Sequence, residues 1–447
     1  MRGSRRSSTG SAMSSTHDRY LAELPRDWPR KELGQICSQI VSGGTPSRSN
    51  SSYWGGSVPW VTPGELTHLR AKYLSSTDER ITDLGLASSG ATLVPSDSLL
   101  VTTRATLGSV ALAAMPLATN QGFKTAVFGP DVDPSFGYHL FHRLKPELTR
   151  RASGTTFLEI SGSQFEQVVV PVPPMPEQRR IAEILDAVDD AVRSTERVVA
   201  KLELMKQGLV YDLLTRGIDE DGGLRDPVRS PRQFAETALG LLPREWSIAR
   251  CGDLCREIVV GIVIRPTQWY ASAGVPVLRS ANVREDGIDM SDLMFMTASS
   301  HRALAKSAVS PGDVVTVRTG YPGTTAVIPP SVAEANCVDI IISRAGPLLL
   351  PHYLSTWVNA PIGKEQVLAK QGGLAQQHFN VGEMKELLVA LPRLGEQAAI
   401  CARADAIQKQ IVAERKLIHK LALLKDGLTT DLLTGRVRVS VVDEETA

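Results

Sequence analysis

One segment of this chain occurs twice, and the recurrence limits what the chain can fold into. Residues 202–217 read LELMKQGLVYDLLTRG, and residues 421–436 read LALLKDGLTTDLLTGR. Leu202, Leu204, Lys206, Gly208, Leu209, Asp212, Leu213, Leu214 and Thr215 return in register as Leu421, Leu423, Lys425, Gly427, Leu428, Asp431, Leu432, Leu433 and Thr434. At the same offset, Glu177-Gln178 of PPMPEQRRIAEIL returns as Glu396-Gln397 of LPRLGEQAAICARA. Further upstream, GTTFLEISGSQFEQVVVPVP (154–173) matches GGLAQQHFNVGEMKELLVALP (372–392), and LPRDWPRKELGQICSQIVSG (24–43) matches LPREWSIARCGDLCREIVVG (242–261). Repeats of this length indicate duplicated domains, not a solenoid. The chain is two copies of a body followed by a helix, joined by the polar stretch RGIDEDGGLRDPVRSP.

The helices carry the clearest pattern. Ile181, Leu185, Val188, Val192, Val199, Leu202 and Leu209 follow an a/d seven-residue spacing, as do Ile400, Ala404, Ile407, Ile411, Ile418, Leu421, Leu428 and Leu432. Polar breaks fall at equivalent places, Thr195 with Glu414 and Lys206 with Lys425. A helix of ~38 residues runs about 57 Å at 1.5 Å per residue. A narrow apolar stripe of that length needs a partner of equal length, so pairing of the two helices is favoured over each folding back on its own body. Antiparallel docking would give pseudo-two-fold symmetry within one chain, with one body at each end.

Within the bodies, short apolar runs bounded by Gly, Pro, Asn and Ser predict strands: SLLVTT (98–103), TAVF (125–128), VVVPVP (168–173), DVVTVR (313–318) and DIIIS (339–343). FGYHLFHRLKPELTRRA (136–152) predicts a helix. The expected fold class is α+β: two similar globular bodies separated by two long antiparallel helices forming an intramolecular coiled coil. The expected layout is a disordered leader at 1–17, a body at 18–172, a central helix at 173–217, a linker at 218–239, a second body at 240–391, a second helix at 392–436 and a tail at 437–447.

Composition excludes several classes. Hydrophobic residues at 42% and charged residues at 22% are ordinary for a globular protein. No apolar run is long enough to cross a bilayer, and the basic, Ser-rich N-terminus has no apolar signal core. Cys37, Cys251, Cys255, Cys337 and Cys401 form no disulfide framework, which suits a reducing cytoplasm. Cys251 and Cys255 have no neighbouring second pair of ligands, so no metal site is expected. Catalytic motifs are missing too. There is no G-x-x-x-x-G-K-[ST] phosphate loop and no [DNS]-P-P-[YFW] tetrapeptide; VPPM (172–175) and IPPS (328–331) lack its ends. SGGTPS (42–47) lacks G-x-G-x-x-G spacing, and no nucleophile elbow or H-E-x-x-H occurs.

The doubled body–helix order resembles the specificity subunits of type I restriction–modification systems. The carrying residues are PPMPEQRRIAEIL, the LLT-containing helix end present twice, SGGTPS, VPWVTPGEL (58–66), ATNQGF (118–123) and GGLAQQHFN (372–380). The resemblance spans about residues 20 to 436. It implies two target recognition domains, each reading one half of a bipartite, asymmetric site in double-stranded DNA. It implies helices that act as a ruler and bind two modification (methyltransferase) subunits, with restriction subunits, ATP-dependent translocase–endonucleases, joining a larger complex. S-adenosylmethionine, Mg²⁺ and ATP would belong to those partners, leaving this chain non-catalytic and without a cofactor of its own. The alternative is a coiled-coil adaptor whose bodies bind proteins instead of DNA.

Residues 18–172 hold 14 Lys/Arg against 14 Asp/Glu, and residues 240–392 hold 13 against 13. Phosphate neutralisation dominates affinity for DNA while base contacts specify sequence, so a near-neutral reader needs partners with basic surface. Base reading calls for Arg, Asn, Gln and small hydroxyl side chains on loops. The candidates in the first body are Thr45, Ser47, Arg48, Arg104, Asn120, Gln121 and Lys124. In the second they are Arg265, Arg279, Asn282, Arg318, Tyr321, Asn336, Gln376, Gln377 and Asn380. Asn120 and Asn336 are read as matching positions, either of which could instead cap a turn. Trp54, Trp60 and Trp269 are read as packing residues.

Overall fold

The computed structural model describes residues 16–104, 106–153, 158–369 and 378–440. The chain divides into two compact units, Met1–Ser194 with Ile418–Ala447, and Thr195–Leu417. Each unit thus combines one body with part of both long helices, the central helix Met175–Thr215 and the C-terminal helix Leu394–Leu433.

The strands form where the alternating apolar runs lie. In the first unit, strands Cys37–Ser42, Phe123–Phe128, Leu99–Thr102, Val110–Ala113 and Tyr73–Leu74 lie side by side in that order. A second sheet orders Glu79–Ile81, Trp54–Val61, Leu117–Thr119 and Leu93–Val94, its middle pair parallel. The second unit repeats this plan. Strands Cys255–Val260, Ile340–Ala345, Val314–Val317 and Thr325–Val327 make one sheet, and Val275–Leu278 runs parallel to Ala335–Cys337 in the other. Leu99–Thr102 and Val314–Val317 are buried along their whole length, as continuous Leu/Val runs require. The expected helix is Pro134–Arg151, capped where Asp133 Oδ1 accepts from Phe136 N at 3.1 Å.

Helix pairing is antiparallel in both units. In the first, Asp189 meets Lys425 at 2.5 Å, and Glu177 meets Arg438 at 2.7 Å. In the second, Lys206 Nζ donates to Gln408 Oε1 at 2.7 Å, and Arg415 meets Glu203 at 2.6 Å. The lysine breaks in the stripe therefore meet cross-helix partners, and Lys206–Gln408 and Lys425–Asp189 are the same pair in the two copies. Ile181, Leu185, Val188, Val199, Ile400, Ile407 and Ile411 are buried, and Val192, Leu202, Leu209, Ile418, Leu421 and Leu428 are half-buried.

The reason for the repeated LLT end is now visible. Leu432 and Leu433 sit in the first unit's core with Trp28, Phe165, Ile181 and Leu185. Leu213 and Leu214 sit in the second unit's core with Trp246, Tyr353, Ile400 and Ala404. Each helix begins in one core and ends in the other. Gly217 and Gly435 follow these ends with φ of +68° and +64°, the left-handed geometry that stops a helix. A Cβ on either would strike a tryptophan, Trp246 at 2.6 Å or Trp28 at 3.2 Å.

Those tryptophans link two further matched motifs. Trp28 of LPRDW donates its indole N–H to Glu177 at 3.0 Å, and Arg438 grips the same carboxylate with Nε at 2.7 Å and Nη2 at 2.9 Å. Trp246 of LPREW donates to Glu396 at 3.2 Å, where Arg225 Nη1 and the Ile218 amide arrive at 2.5 and 2.8 Å. Gln178 and Gln397 complete the anchors. The Gln178 amide donates to Asp131 O and Pro173 O, and the Gln397 amide to Leu348 O and Pro392 O.

Two expectations change. Residues 1–15 of the leader lie outside the described residues, but Thr16 opens a helix to Glu23 and His17 is buried, its Nε2 2.8 Å from Val169 O. Tyr20 on that helix donates to Leu433 O at 2.9 Å and so satisfies one carbonyl at the end of the C-terminal helix. The stretch 218–239 is likewise more than a polar linker: Ile218 is buried, and Phe234–Thr237 pairs with Gly240–Pro243.

Leu213→Ala and Leu432→Ala, each removing a buried side chain at a helix end, are expected to destabilise the fold by about 2–5 kcal/mol. Leu204→Ala, on an exposed position of the same helix, should change stability by no more than ~0.5 kcal/mol. Urea denaturation followed by circular dichroism measures both.

Candidate nucleic-acid interface

Three loops meet at the same place in each unit. In the first unit the loop after strand Cys37–Ser42 reaches the turn after Leu117–Thr119, where Gly44 N donates to Thr119 O at 2.9 Å. That turn reaches the hairpin after Leu99–Thr102, where Thr103 N donates to Gly122 O at 2.7 Å. In the second unit Ile262 N donates to Cys337 O at 2.9 Å, and Arg318 Nη1 meets Asp339 Oδ1 at 2.5 Å. Loop, turn and hairpin therefore form one edge in both copies.

Most first-unit candidates lie on this edge. Thr45 Oγ1 bonds the Gln121 side chain, and both residues are exposed. Arg48 forks onto Glu79 at 2.5 and 2.7 Å, with its guanidinium 3.8 Å from the Trp54 ring centre. That fork holds the Glu79 carboxyl below the usual carboxylate range. Ser47 shares a hydrogen bond with Ser49, and its carbonyl accepts from the Trp54 indole at 3.1 Å. Arg104 is exposed and pairs with Glu159 at 2.8 Å. Asn120 takes the turn-capping role: its Oδ1 accepts from Gly122 N at 2.8 Å. Lys124 is buried, with Nζ 2.7 Å from Ser42 Oγ, and burial pushes its ammonium pKa down. Trp60 is buried with its indole on Gly44 O at 2.9 Å, whereas Trp54 is half-buried and stacks under Arg48.

The second-unit candidates separate more sharply. Arg265 and Tyr321 are exposed on the edge, and Arg318 is half-buried there between Asp339 and Phe379 O. Asn380 is exposed but caps the short helix Val381–Glu386 through Glu383 N at 3.0 Å. Gln376 and Gln377 lie outside the described residues. Arg279 pairs with Asp292 at 2.7 Å, and its backbone amide is held by Asn282.

Three readings need correction. Asn282 is 2% exposed and its amide donates to Asp289 O and Asp292 O at 3.0 and 2.9 Å, so it holds a loop and has no free edge for a base. Asn336 is fully buried, with its Oδ1 accepting from Cys337 N at 2.9 Å and its amide nitrogen against His301 and Leu304 O at 3.3 Å. Nor do Asn120 and Asn336 match. Asn120 N bonds Val61 O as Val338 N bonds Leu278 O, which makes Val338 the equivalent of Asn120. A residue that sequence reasoning missed is Asp339, the hub of the second edge. Its φ of +53° is rare for a side chain with a Cβ, and nothing in CVDIIIS signals it.

Each arginine of these loops that pairs with a carboxylate carries its partner with it, Arg48 with Glu79, Arg104 with Glu159, Arg279 with Asp292 and Arg318 with Asp339. The loops have hydrogen-bonding forks without surplus charge. The Sγ atoms of Cys251 and Cys255 are 3.8 Å apart, and among the described residues no three His, Cys, Asp or Glu side chains cluster as a metal site would.

The family profile described as the type I restriction modification DNA specificity domain matches residues 25–204. The MjaIX specificity subunit of a type I restriction enzyme from Methanocaldococcus jannaschii is 24% identical over 425 residues, covering 94% of this chain and 95% of that protein. Along nearly its whole length the chain is similar to specificity subunits of type I restriction enzymes. Solved structures share the fold. The S subunit from M. genitalium superposes with a TM-score of 0.54 at 13% identity, covering 92% of this chain and 98% of that one. A chain from a type I restriction–modification system solved in a study of complex assembly and conformational transition gives 0.58 at 21% identity, covering 93% and 99%. In both bodies the edge is where exposed polar side chains gather on the shared fold.

Asn282→Ala is expected to cost about 1–3 kcal/mol of stability by orphaning buried backbone groups, and to leave base preference unchanged. Denaturation and a methylation assay on the assembled complex measure the two effects separately.

Proposed function

We propose that this chain is the sequence-reading subunit of a type I restriction–modification complex. It recognises a bipartite, asymmetric site in double-stranded DNA, one half-site per body, and directs adenine N6 methylation and ATP-dependent cleavage by partner subunits. The observation that carries the reading is the paired edge. Two bodies of one plan present the same three loops, and the loops differ in sequence where they are exposed, as SGGTPSRSNSSYWGG differs from VGIVIRPTQW. Identical scaffolds with different tips suit two different half-sites, just as dimeric readers match two half-sites with one repeated motif.

The chain itself is non-catalytic in this reading and acts in the cytoplasm; no helix among the described residues is long and apolar enough to cross a membrane. Thr45, Ser47, Arg48, Arg104, Gln121, Arg265, Arg318 and Tyr321 remain the candidates for DNA contact. The ion pairing of Arg48, Arg104 and Arg318 to neighbouring carboxylates supports a division of labour, with base reading here and phosphate neutralisation by partners.

The partners are two modification subunits, one per helix copy, with restriction subunits joining them. Support comes from apolar side chains that recur on the outside of both helices. Val198, Leu204 and Met205 are 44%, 69% and 53% exposed, and their equivalents Leu417, Leu423 and Leu424 are 43%, 58% and 51% exposed. A repeated exposed apolar set on a soluble chain marks a repeated interaction site.

Expressing the chain with its modification subunit and sequencing methylated adenines tests the whole reading. A bipartite motif that depends on this chain is expected, along with two modification subunits per chain by native mass spectrometry. Leu204→Asp with Leu423→Asp should abolish that assembly while the fold survives. Co-purification without any chain-dependent methylation would favour the adaptor reading.

A further inference from the structure

The hairpins of the two edges close with the same backbone hydrogen bonds and carry different residues. Gly108 N donates to Thr102 O at 2.8 Å and Thr102 N to Ser109 O at 2.9 Å; Gly323 N donates to Val317 O at 3.0 Å and Val317 N to Thr324 O at 2.8 Å. Gly108 and Gly323 have φ of +83° and +88°. The two hairpins close with the same bonds, Ser109 N to Thr106 O and Thr324 N to Tyr321 O included, so Tyr321 occupies the position of Thr106. Thr106 is half-buried, whereas Tyr321 is 84% exposed, more than any other aromatic side chain among the described residues.

The second hairpin is also braced. Asp339, held at φ +53°, uses both carboxylate oxygens on its base, Oδ1 to Arg318 Nη1 at 2.5 Å and Oδ2 to Thr319 Oγ1 at 3.1 Å. Its amide donates to Ile262 O at 3.0 Å, tying the hairpin to the neighbouring loop. Thr319 also shares a 3.1 Å hydrogen bond with His378 Nδ1. Gly320 supplies the φ of +92° that the turn needs, and Pro322 restricts the backbone of the tyrosine that precedes it. A left-handed aspartate that spends its whole carboxylate on fixing an exposed turn is the kind of local strain that accompanies function.

We infer that Tyr321 is a specificity-determining residue, whose ring packs against a thymine 5-methyl group in the half-site read by the second body. This rests on the DNA-reading function proposed above. The chemistry follows from what the tip offers. The Tyr321 hydroxyl can donate to a phosphate, but the ring itself has one apolar feature to meet on the major-groove edge, the thymine methyl, and Tyr321→Phe separates the two contacts. Asp339 and Arg318 act as positioning residues that aim the tip. The first body has Thr106 at the same position, with its hydroxyl buried, so no equivalent contact is expected there.

The test uses the complex assembled from the full chain and its modification subunits, with duplex oligonucleotides covering every base substitution and every thymine-to-deoxyuridine replacement. With the wild-type chain, one deoxyuridine in one half-site should slow methylation on the order of fourfold, the effect of one lost methyl contact. Tyr321→Ala should lose both that sensitivity and the base preference at that position, with the other half-site unchanged, while Tyr321→Phe should keep both. Equal slowing on all sequences, no change in any preference, or a change confined to a G·C pair would each overturn the inference. Absence of any bipartite motif with the wild-type chain would instead defeat the functional reading on which it stands.

Discussion

A 40-residue helix with a single apolar stripe cannot stay dry by itself, and that constraint organises the chain. The structure meets it by antiparallel pairing, with each helix started in one core and finished in the other. The ends are fixed by charge as well as by leucine. A glutamate at each helix start is held by an indole N–H from its own body and by an arginine that follows the end of the opposite helix, Trp28 and Arg438 for Glu177, Trp246 and Arg225 for Glu396. Both carboxylates are largely shielded, with side chains 5% and 13% exposed, so losing one partner leaves a poorly solvated charge behind. Register is set between those anchors by Lys425–Asp189 and Lys206–Gln408.

The helices, their stripe and the body strands were legible in the sequence because each is a periodic signal. The matched motifs LPRDW/LPREW and PEQ/GEQ were visible as repeats, but their meaning was not. They bond to each other across roughly 150 residues, and nothing in local sequence announces such a contact. The site was less legible for a related reason. Asn336 and Asn282 have the right chemistry for reading a base, yet burial decides whether an amide is available, and both are spent on backbone groups. The apparent match of Asn120 with Asn336 failed because the two turns differ by two residues of register, which only the strand hydrogen bonds reveal. Asp339 drew no notice because its importance lies in a left-handed φ and in the two loops it joins.

The near-neutral charge of the bodies, puzzling for a DNA reader, has a structural counterpart. Arg48 and Arg104 in the exposed loops are pre-paired with Glu79 and Glu159, so they are oriented without creating a strong field. Exposed pairs of this kind contribute little stability, about 0–1 kcal/mol, and can exchange their partner for a base edge at small cost. On the proposed function, such a reader would draw affinity from its partners and keep selectivity for itself. The division fits a chain whose two tips vary while the helices and their anchors repeat.

We propose that paired helices of fixed length set the separation of the half-sites. Removing one seven-residue repeat from each helix, residues 192–198 with 416–422, keeps the register of Lys425–Asp189 and Lys206–Gln408 and shortens the pair by ~10 Å. At 3.4 Å per base pair that is about three base pairs. Methylome sequencing of a host carrying this deletion should find both half-sites unchanged and the spacer between them shortened by that amount. Methylation at the original spacing would contradict the account.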